Sequence, residues 1–317
     1  MKVVSLSYPI SSELKQQLGQ PQIAAIGQFD GLHLGHASVL STAVRLAREE
    51  DVPAALITFY PHPKDVIRKG SYEGYLTPQP DKEALLADMG IDILYVVEFN
   101  EALSKVSPEA FFTDVLLPLE LKTAVVGFDF RFGHKGQGDA DMLAELGKGA
   151  MKVITIPPFL MSGEKVGSSS IRTALKTGQL SDANRWLGRH YRIRGSVIHG
   201  EKRGRLIGFP TANLELAESY VVPALGVYAV FAQIPGENRR IPGVMNVGVK
   251  PTFHEGITKP VFEVHLFDYE ADLYGQMLTV DLVSYIRKEH KFESVDELVE
   301  WINRDAAEAR TILSESE

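Results

Sequence analysis

The chain of 317 residues contains no cysteine. Disulfides and cysteine-ligated zinc are thereby excluded, and a reducing compartment is the natural fit. No apolar run approaches the ~18 residues that a membrane helix requires. The opening Met1-Lys2-Val3-Val4-Ser5-Leu6 also lacks the long apolar segment of a secretory signal. The expectation is a cytoplasmic protein with no membrane partner. Basic residues are in short supply, with 33 Lys and Arg against 41 Asp and Glu and a net charge of -8. That balance argues against nucleic acid as a partner, while leaving room for a few cations in a nucleotide pocket. Low-complexity tracts and internal repeats are absent too.

What is present suits a folded chain of about two domains. The first half alternates strand and helix patterns. Apolar runs at 2–6, 23–27, 54–59, 92–97, 124–127 and 151–156 read as strands. Between the second and third lies a helix over 35–49, with Val39, Leu40, Ala43, Val44 and Ala47 on one face. Ser107 followed by Pro108 is a further helix start. Strand, helix, strand at this spacing predicts a parallel sheet, whose ligands bind beyond the carboxyl ends of its strands. After a short helix over 180–187 the pattern changes. Alternating strands at 193–199, 226–233, 239–247, 261–267 and 278–286 predict a small antiparallel barrel. A final helix over 294–309 begins with Ser294 and Glu297 as a capping box. The fold class expected is therefore an α/β domain over 1–187, then a small antiparallel β-barrel domain over 188–317 with a C-terminal helix.

The strand at 23–27 runs into Gly27-Gln28-Phe29-Asp30-Gly31-Leu32-His33-Leu34-Gly35-His36. Its glycines read as positions where the backbone turns sharply and approaches a ligand. A Gly-rich turn at a helix N-terminus is a site for phosphate, because free N–H groups and the helix dipole both point at it. His33 and His36, three apart, share a helical face and could meet the charge of a triphosphate. Taken alone, two histidines there are more often a solvent-facing pair or a local cap. Further on, two prolines in Thr58-Phe59-Tyr60-Pro61-His62-Pro63 refuse helix and present His62 at a strand end. The loop 127–139 carries Phe128, Phe130 and Phe132 among glycines and both signs of charge. Such a loop can clamp a flat ring. Ser168, Ser169 and Ser170 before Ile171 read as a helix N-cap. In the second half, a Gly- and Arg-rich loop from His199 precedes Pro210-Thr211-Ala212-Asn213, and Glu263 stands on an alternating strand.

On these residues the chain resembles the bifunctional bacterial riboflavin kinase/FAD synthetase family over nearly its whole length. Residues 27–36 are similar to the G-x-F-D-G-x-H-x-G-H signature of the FAD synthetase branch of nucleotidylyltransferases. Residues 58–63 resemble its T-F-x-P-H-P motif, 127–133 its G-x-[DN]-F-x-F-G segment and 166–172 its I-S-S-T-x-I-R motif. The Pro-Thr-Ala-Asn stretch, with 243–253, 272–275 and 286–292, resembles riboflavin kinase. The resemblance implies a Rossmann-like nucleotidylyltransferase domain and a six-stranded riboflavin kinase barrel. It implies ATP or phosphate contacts from Gly27, Phe29, Asp30, Gly35, His62, Ser168, Ser169 and Arg172. His33 and His36 would face developing charge, and Asp129 and Phe130 would contact flavin. In the barrel, Gly204 and Gly208 would cover ATP phosphates, and Thr211 and Asn213 would lie on the Mg²⁺ side. Glu263 would accept the proton of the ribityl 5′-hydroxyl, and Arg287 would lie in a flap near the flavin. Riboflavin, FMN and ATP are then substrates, with flavin a substrate or product rather than a prosthetic group. Gln28 stands where the family usually has Asn, and Gly167 where it has Ser. Two alternatives stay open: a riboflavin kinase with an impaired adenylyltransferase site, or a flavin or nucleotide sensor without turnover.

Overall fold

Every residue of strand β2 (Gln22–Ile26) is buried. A strand covered on both faces belongs in the middle of a sheet flanked by helices. In the computed structural model, which describes residues 1–67, 72–200, 204, 208–251 and 258–316, β2 does lie there. The sheet also contains β1 (Lys2–Leu6), β3 (Ala54–Tyr60), β4 (Ile93–Glu98), β5 (Leu121–Gly127) and β6 (Lys152–Ile156). Its order is β1-β4-β3-β2-β5-β6, with every neighbouring pair parallel. From β2 the chain moves outward through β3 and β4, then crosses back to β5 and β6 on the other side. The carboxyl end of β2 therefore sits at the point where the strand order reverses, where open α/β sheets bind ligands.

Helices α1 (Ser12–Leu18), α2 (Leu34–Glu49), α3 (Pro63–Ile67), α4 (Gln79–Asp88), α5 (Glu101–Ser104), α6 (Pro108–Phe111) and α7 (Ala140–Leu146) fall between these strands. Helix α2 buries Val39, Leu40, Ala43 and Ala47 in one core layer with Ile23, Ala25 and Leu56. The opposite layer packs Phe111, Phe112 and Val115 with Ala24, Ile26 and Tyr95. Ser107 caps α6 as its sequence predicts, accepting from the Ala110 N–H at 3.2 Å. A hairpin of β7 (Leu160–Met161) and β8 (Glu164–Lys165) follows β6.

The chain divides into two compact units, Met1–Glu73 with Gln79–Val166, and Gly74–Pro78 with Gly167–Glu317. The second unit is built on a closed antiparallel barrel. Its strands are β9 (Tyr191–Ile198), β10 (Ala212–Leu216), β11 (Gly226–Gln233), β12 (Arg240–Pro251), β13 (Thr258–Leu266) and β14 (Met277–Arg287), in the order β10-β13-β12-β11-β14-β9. Closure leaves no open sheet edge. Alternation decides what fills it: Phe262, Val264 and Leu266 join the buried cluster with Ile193, Val230, Met245 and Val280, so Glu263 and His265 face outward. Helices α8 (Ser168–Lys176) and α9 (Leu180–Leu187) contribute Ile171, Leu175, Leu180 and Leu187 to that same core. Fully burying each such side chain is worth about 1.5–3 kcal/mol. Helix α10 (Val295–Ser314) packs Ala309 and Leu313 against Phe231 and Phe267 on the barrel's outside.

Three local expectations are corrected. Ser168, Ser169 and Ser170 do not cap a helix; they form the first turn of α8, and the extended Gly167 is its N-cap with no side-chain bond among the described residues. The final helix continues past residue 309 to Ser314, because Ile312 and Leu313 extend its buried face. Residues 212–216, where Thr211-Ala212-Asn213 offers a strand start but no barrel strand was counted, form strand β10.

Candidate active sites

The turn after β2 takes an unusual backbone path. Phe29 (φ 48°), Gly31 (φ 95°) and Leu32 (φ 42°) all lie at positive φ. For the two residues bearing a side chain this is a sparsely populated region, held only when the surroundings fix it. Phe29 and Leu32 anchor the turn by burying their side chains in the core around α2. Gly31 supplies the conformational freedom. Gly27 and Gly35 instead make room for rings: a Cβ would lie 3.0 Å from Phe29 Cε2 at one and 3.1 Å from His33 Cε1 at the other.

His33 is the N-cap of α2, its Nδ1 accepting from the His36 N–H at 3.3 Å. The two imidazoles stack with centroids 3.6 Å apart, and the Phe29 ring lies 5.0 Å from His36. The cap and the shared face are thus both present. Asp30 is buried and accepts from the Tyr72 hydroxyl at 3.1 Å. The Tyr72 ring in turn stacks on His62, centroids 4.3 Å apart. His62 is thereby joined to the turn through a residue that the sequence reading passed over.

A second such residue is Lys82 on α4, 2% exposed. Its ammonium and the Thr58 hydroxyl both donate to the Gln28 carbonyl, at 3.2 and 3.0 Å. Burial pulls the ammonium down to about 8, against the opposing pull of the Asp30 charge. No sequence signal marks it: only the fold shows that Lys82 and Leu86, four apart, are the two buried residues of α4. The Gln28 side chain donates to the Phe59 carbonyl at 3.0 Å, so the departure at this position serves the turn's own framework.

In the loop after β5, Asp129 is exposed and pairs with the Lys165 ammonium at 3.0 Å, which lies 4.2 Å from the centre of the Phe128 ring. Phe130 does not face solvent. It is 8% exposed and stacked on Phe132 inside the core. Phe128, at 43%, is the exposed ring of this loop. Phe29 is likewise a core side chain, so only its backbone could meet a ligand. Ser168, Ser169 and Arg172 lie on α8, in the second unit, where the Arg172 guanidinium donates to the Gly74 carbonyl at 2.7 Å.

The barrel's outer face carries a cavity of about 410 Å³. Gly204, Thr211, Asn213, Glu263 and Arg287 all line it. Backbone register brings the polar residues together: Asn213 on β10 is opposite Glu263 on β13, which is opposite Asn246 on β12. The loop before β10 approaches closely. A Cβ at Gly200 would lie 2.2 Å from Asn213 Nδ2, and one at Gly204 would lie 2.3 Å from the Phe209 carbonyl oxygen. His265 Nδ1, 2.8 Å from the Pro210 carbonyl, steadies the start of the Pro-Thr-Ala-Asn stretch. Gly208 is exposed at φ 83° and does not line the cavity. Residues 201–203 and 205–207 of the Arg-rich loop, with Thr252 and Phe253, lie outside the described residues.

Arg287 is held in the cavity wall. Its Nε and Nη2 donate to Asp305 of α10 at 2.8 and 2.7 Å, and Trp301 lies 5.1 Å beneath it. Apolar Phe292, Leu298 and Ile302 line the cavity as well, as does Lys250. Lys250 and Phe292 fall in the segments 243–253 and 286–292 that the sequence marks, whereas Leu298, Trp301, Ile302 and Asp305 carry no such mark, because α10 reaches the barrel only through the tertiary fold. A smaller recess of about 70 Å³ shares Thr211 and is walled by Pro210, Leu273 and Tyr274.

A phosphate-type turn at the switch point of a parallel sheet, and a barrel cavity pairing a carboxylate with amide, hydroxyl and cationic groups, define a two-unit transferase of nucleotide chemistry. A family model for FAD synthetase matches residues 15–170, and one for riboflavin kinase matches residues 187–313. The chain is 40% identical over 311 residues to a bifunctional riboflavin kinase/FMN adenylyltransferase of Bacillus subtilis, covering 98% of this chain and 97% of that one. It is 36% identical over 318 residues to the protein of the same description from Listeria monocytogenes, covering 100% of both. A crystal structure of a Streptococcus pneumoniae protein described as a macrolide-efflux protein matches with a TM-score of 0.87 at 30% identity, over 98% of this chain and 99% of that one. The chain belongs to the family of bifunctional riboflavin kinases/FMN adenylyltransferases. Among the described residues, no helix is long and apolar enough to cross a membrane.

Proposed function

We propose that the barrel phosphorylates riboflavin to FMN and that the α/β unit adenylylates FMN to FAD, each with one ATP. The observation that carries the reading is the gathering of Thr211, Asn213, Glu263 and Arg287 around one cavity. In the first reaction the ribityl 5′-hydroxyl attacks the γ-phosphorus and ADP leaves. Glu263 accepts the hydroxyl proton, a role that needs only a carboxylate within reach of the nucleophile. Thr211 and Asn213 offer hard oxygens that fit Mg²⁺, which binds through few protein groups plus phosphate. When bound, that ion offsets phosphate charge. Apolar Phe292, Leu298 and Ile302 at the α10 end suit a flat aromatic ring.

In the second reaction an FMN phosphate oxygen attacks the α-phosphorus of ATP and pyrophosphate leaves. No protein nucleophile is required; the chain orients the reactants and meets negative charge. The N–H groups at the start of α2, with His33 and His36, are suited to that charge. Asp129 and the exposed Phe128 are the flavin-side candidates of the loop after β5. The departures at Gln28 and Gly167 are absorbed locally, one holding the Phe59 carbonyl and the other capping α8, which favours two live sites over a kinase alone. The lack of cysteine fits a reducing compartment, and we place the enzyme in the cytoplasm. Purified protein given riboflavin, ATP and Mg²⁺ is expected to yield FMN and then FAD by chromatography. Neither product appearing overturns the reading; FMN alone leaves only the kinase.

A further inference from the structure

We propose that Lys82 is a positioning residue of adenylyl transfer, acting through the Gln28 carbonyl and the buried Asp30. The inference rests on the reading of residues 27–36 as the adenylyl-transfer site. Three observations carry it. Lys82 is 2% exposed, whereas lysine is almost never fully buried unless paired. Its ammonium is directed at the one carbonyl that leads into the strained residues Phe29 and Leu32. Thr58 donates to the same carbonyl, so two donors from two elements, β3 and α4, fix the entry to the turn.

An apolar side chain of the same length would fill this place on α4 without the cost of burying a charge. A lysine there is therefore explained by what its ammonium holds. With the Gln28 carbonyl fixed, the turn keeps its left-handed path and the start of α2 keeps its orientation. The ammonium also places positive charge beside the phosphate-binding turn, balanced by Asp30. Positioning of this kind acts on the geometry of the transition state, so its loss is read in kcat before KM.

The test uses the full-length chain with Lys82→Met, Thr58→Val and His36→Ala, assaying FAD formed from FMN and ATP. The riboflavin kinase rate of the same preparations serves as an internal control. For Lys82→Met we expect kcat to fall about 10–100-fold, with the KM for ATP within about threefold of the parent. The thermal midpoint should hold or rise. Wild-type kcat in Lys82→Met overturns the proposal, as does a kcat loss accompanied by a matching loss of stability. If Lys82→Met fails to fold, Thr58→Val decides: a severalfold kcat loss at unchanged KM supports the proposal and an unchanged rate sinks it. His36→Ala separates the two readings. Adenylylation that survives in His36→Ala removes the site assignment itself. An inactive His36→Ala beside a fully active Lys82→Met removes only the role of Lys82.

Discussion

Asn213 and Glu263 stand directly opposite each other across the β10–β13 ladder. Cβ atoms of such pairs lie about 4.5–5.5 Å apart and share one face of the sheet. The proposed base and the proposed metal-side amide are thus set against one another by backbone hydrogen bonding, not by loop conformation. Replacing Glu263 by Gln keeps this register and removes the basic oxygen. FMN formation should fall about 10²–10⁴-fold, while FAD synthesis from supplied FMN continues at the parent rate, both followed by chromatography of the flavins.

Gly200 lets the loop lie against Asn213. Gly200→Ala would set a Cβ 2.2 Å from Asn213 Nδ2, forcing the amide aside. The kinase rate should drop by about tenfold or more, since small displacements of positioning groups are costly. The adenylyl-transfer rate should not change, and steady-state kinetics on both substrates checks this.

Asp305 and Arg287 form an ion pair with side-chain exposures of 6% and 18%. Removing one partner leaves the other charge buried. Asp305→Ala should destabilise the barrel by about 3–5 kcal/mol, read from urea denaturation. It should also raise the KM for riboflavin, because Arg287 loses its fixed place in the cavity wall.

The buried Lys82 makes stability depend on pH. Its folded value is lowered from 10.5 to about 8, so between those limits the unfolded chain binds more protons. Stability of the first unit should therefore rise with pH from about 8 to about 10.5. The full gain is on the order of 3 kcal/mol, at about 1.4 kcal/mol per pKa unit. Lys82→Met should lack that rise. Denaturant melts of parent and variant at several pH values, compared by difference, measure it.

The parallel sheet was legible because strands buried on both faces read as continuous apolar runs. Most barrel strands were legible through alternation. Strand β10 was legible only as a strand start at Thr211-Ala212-Asn213, because Asn213 is a polar residue only 9% exposed, which breaks the apolar pattern in a five-residue strand. Much of the site framework was also hidden. Lys82 meets Gln28 across 54 residues and Tyr72 meets Asp30 across 42. No local spacing reports such contacts. Phe128, Phe130 and Phe132 looked equivalent in sequence; packing against the sheet turns the latter two inward and leaves the first exposed.

The cap made by His33 also assigns a proton. Its Nδ1 accepts from the His36 N–H, so the neutral ring carries its hydrogen on Nε2. In that tautomer the imidazole is already a hydrogen-bond donor and needs no added charge to meet a phosphate oxygen. The Nδ1 lone pair is committed to fastening the first turn of α2, so the two nitrogens of one ring divide the work of holding the helix start and of facing a ligand.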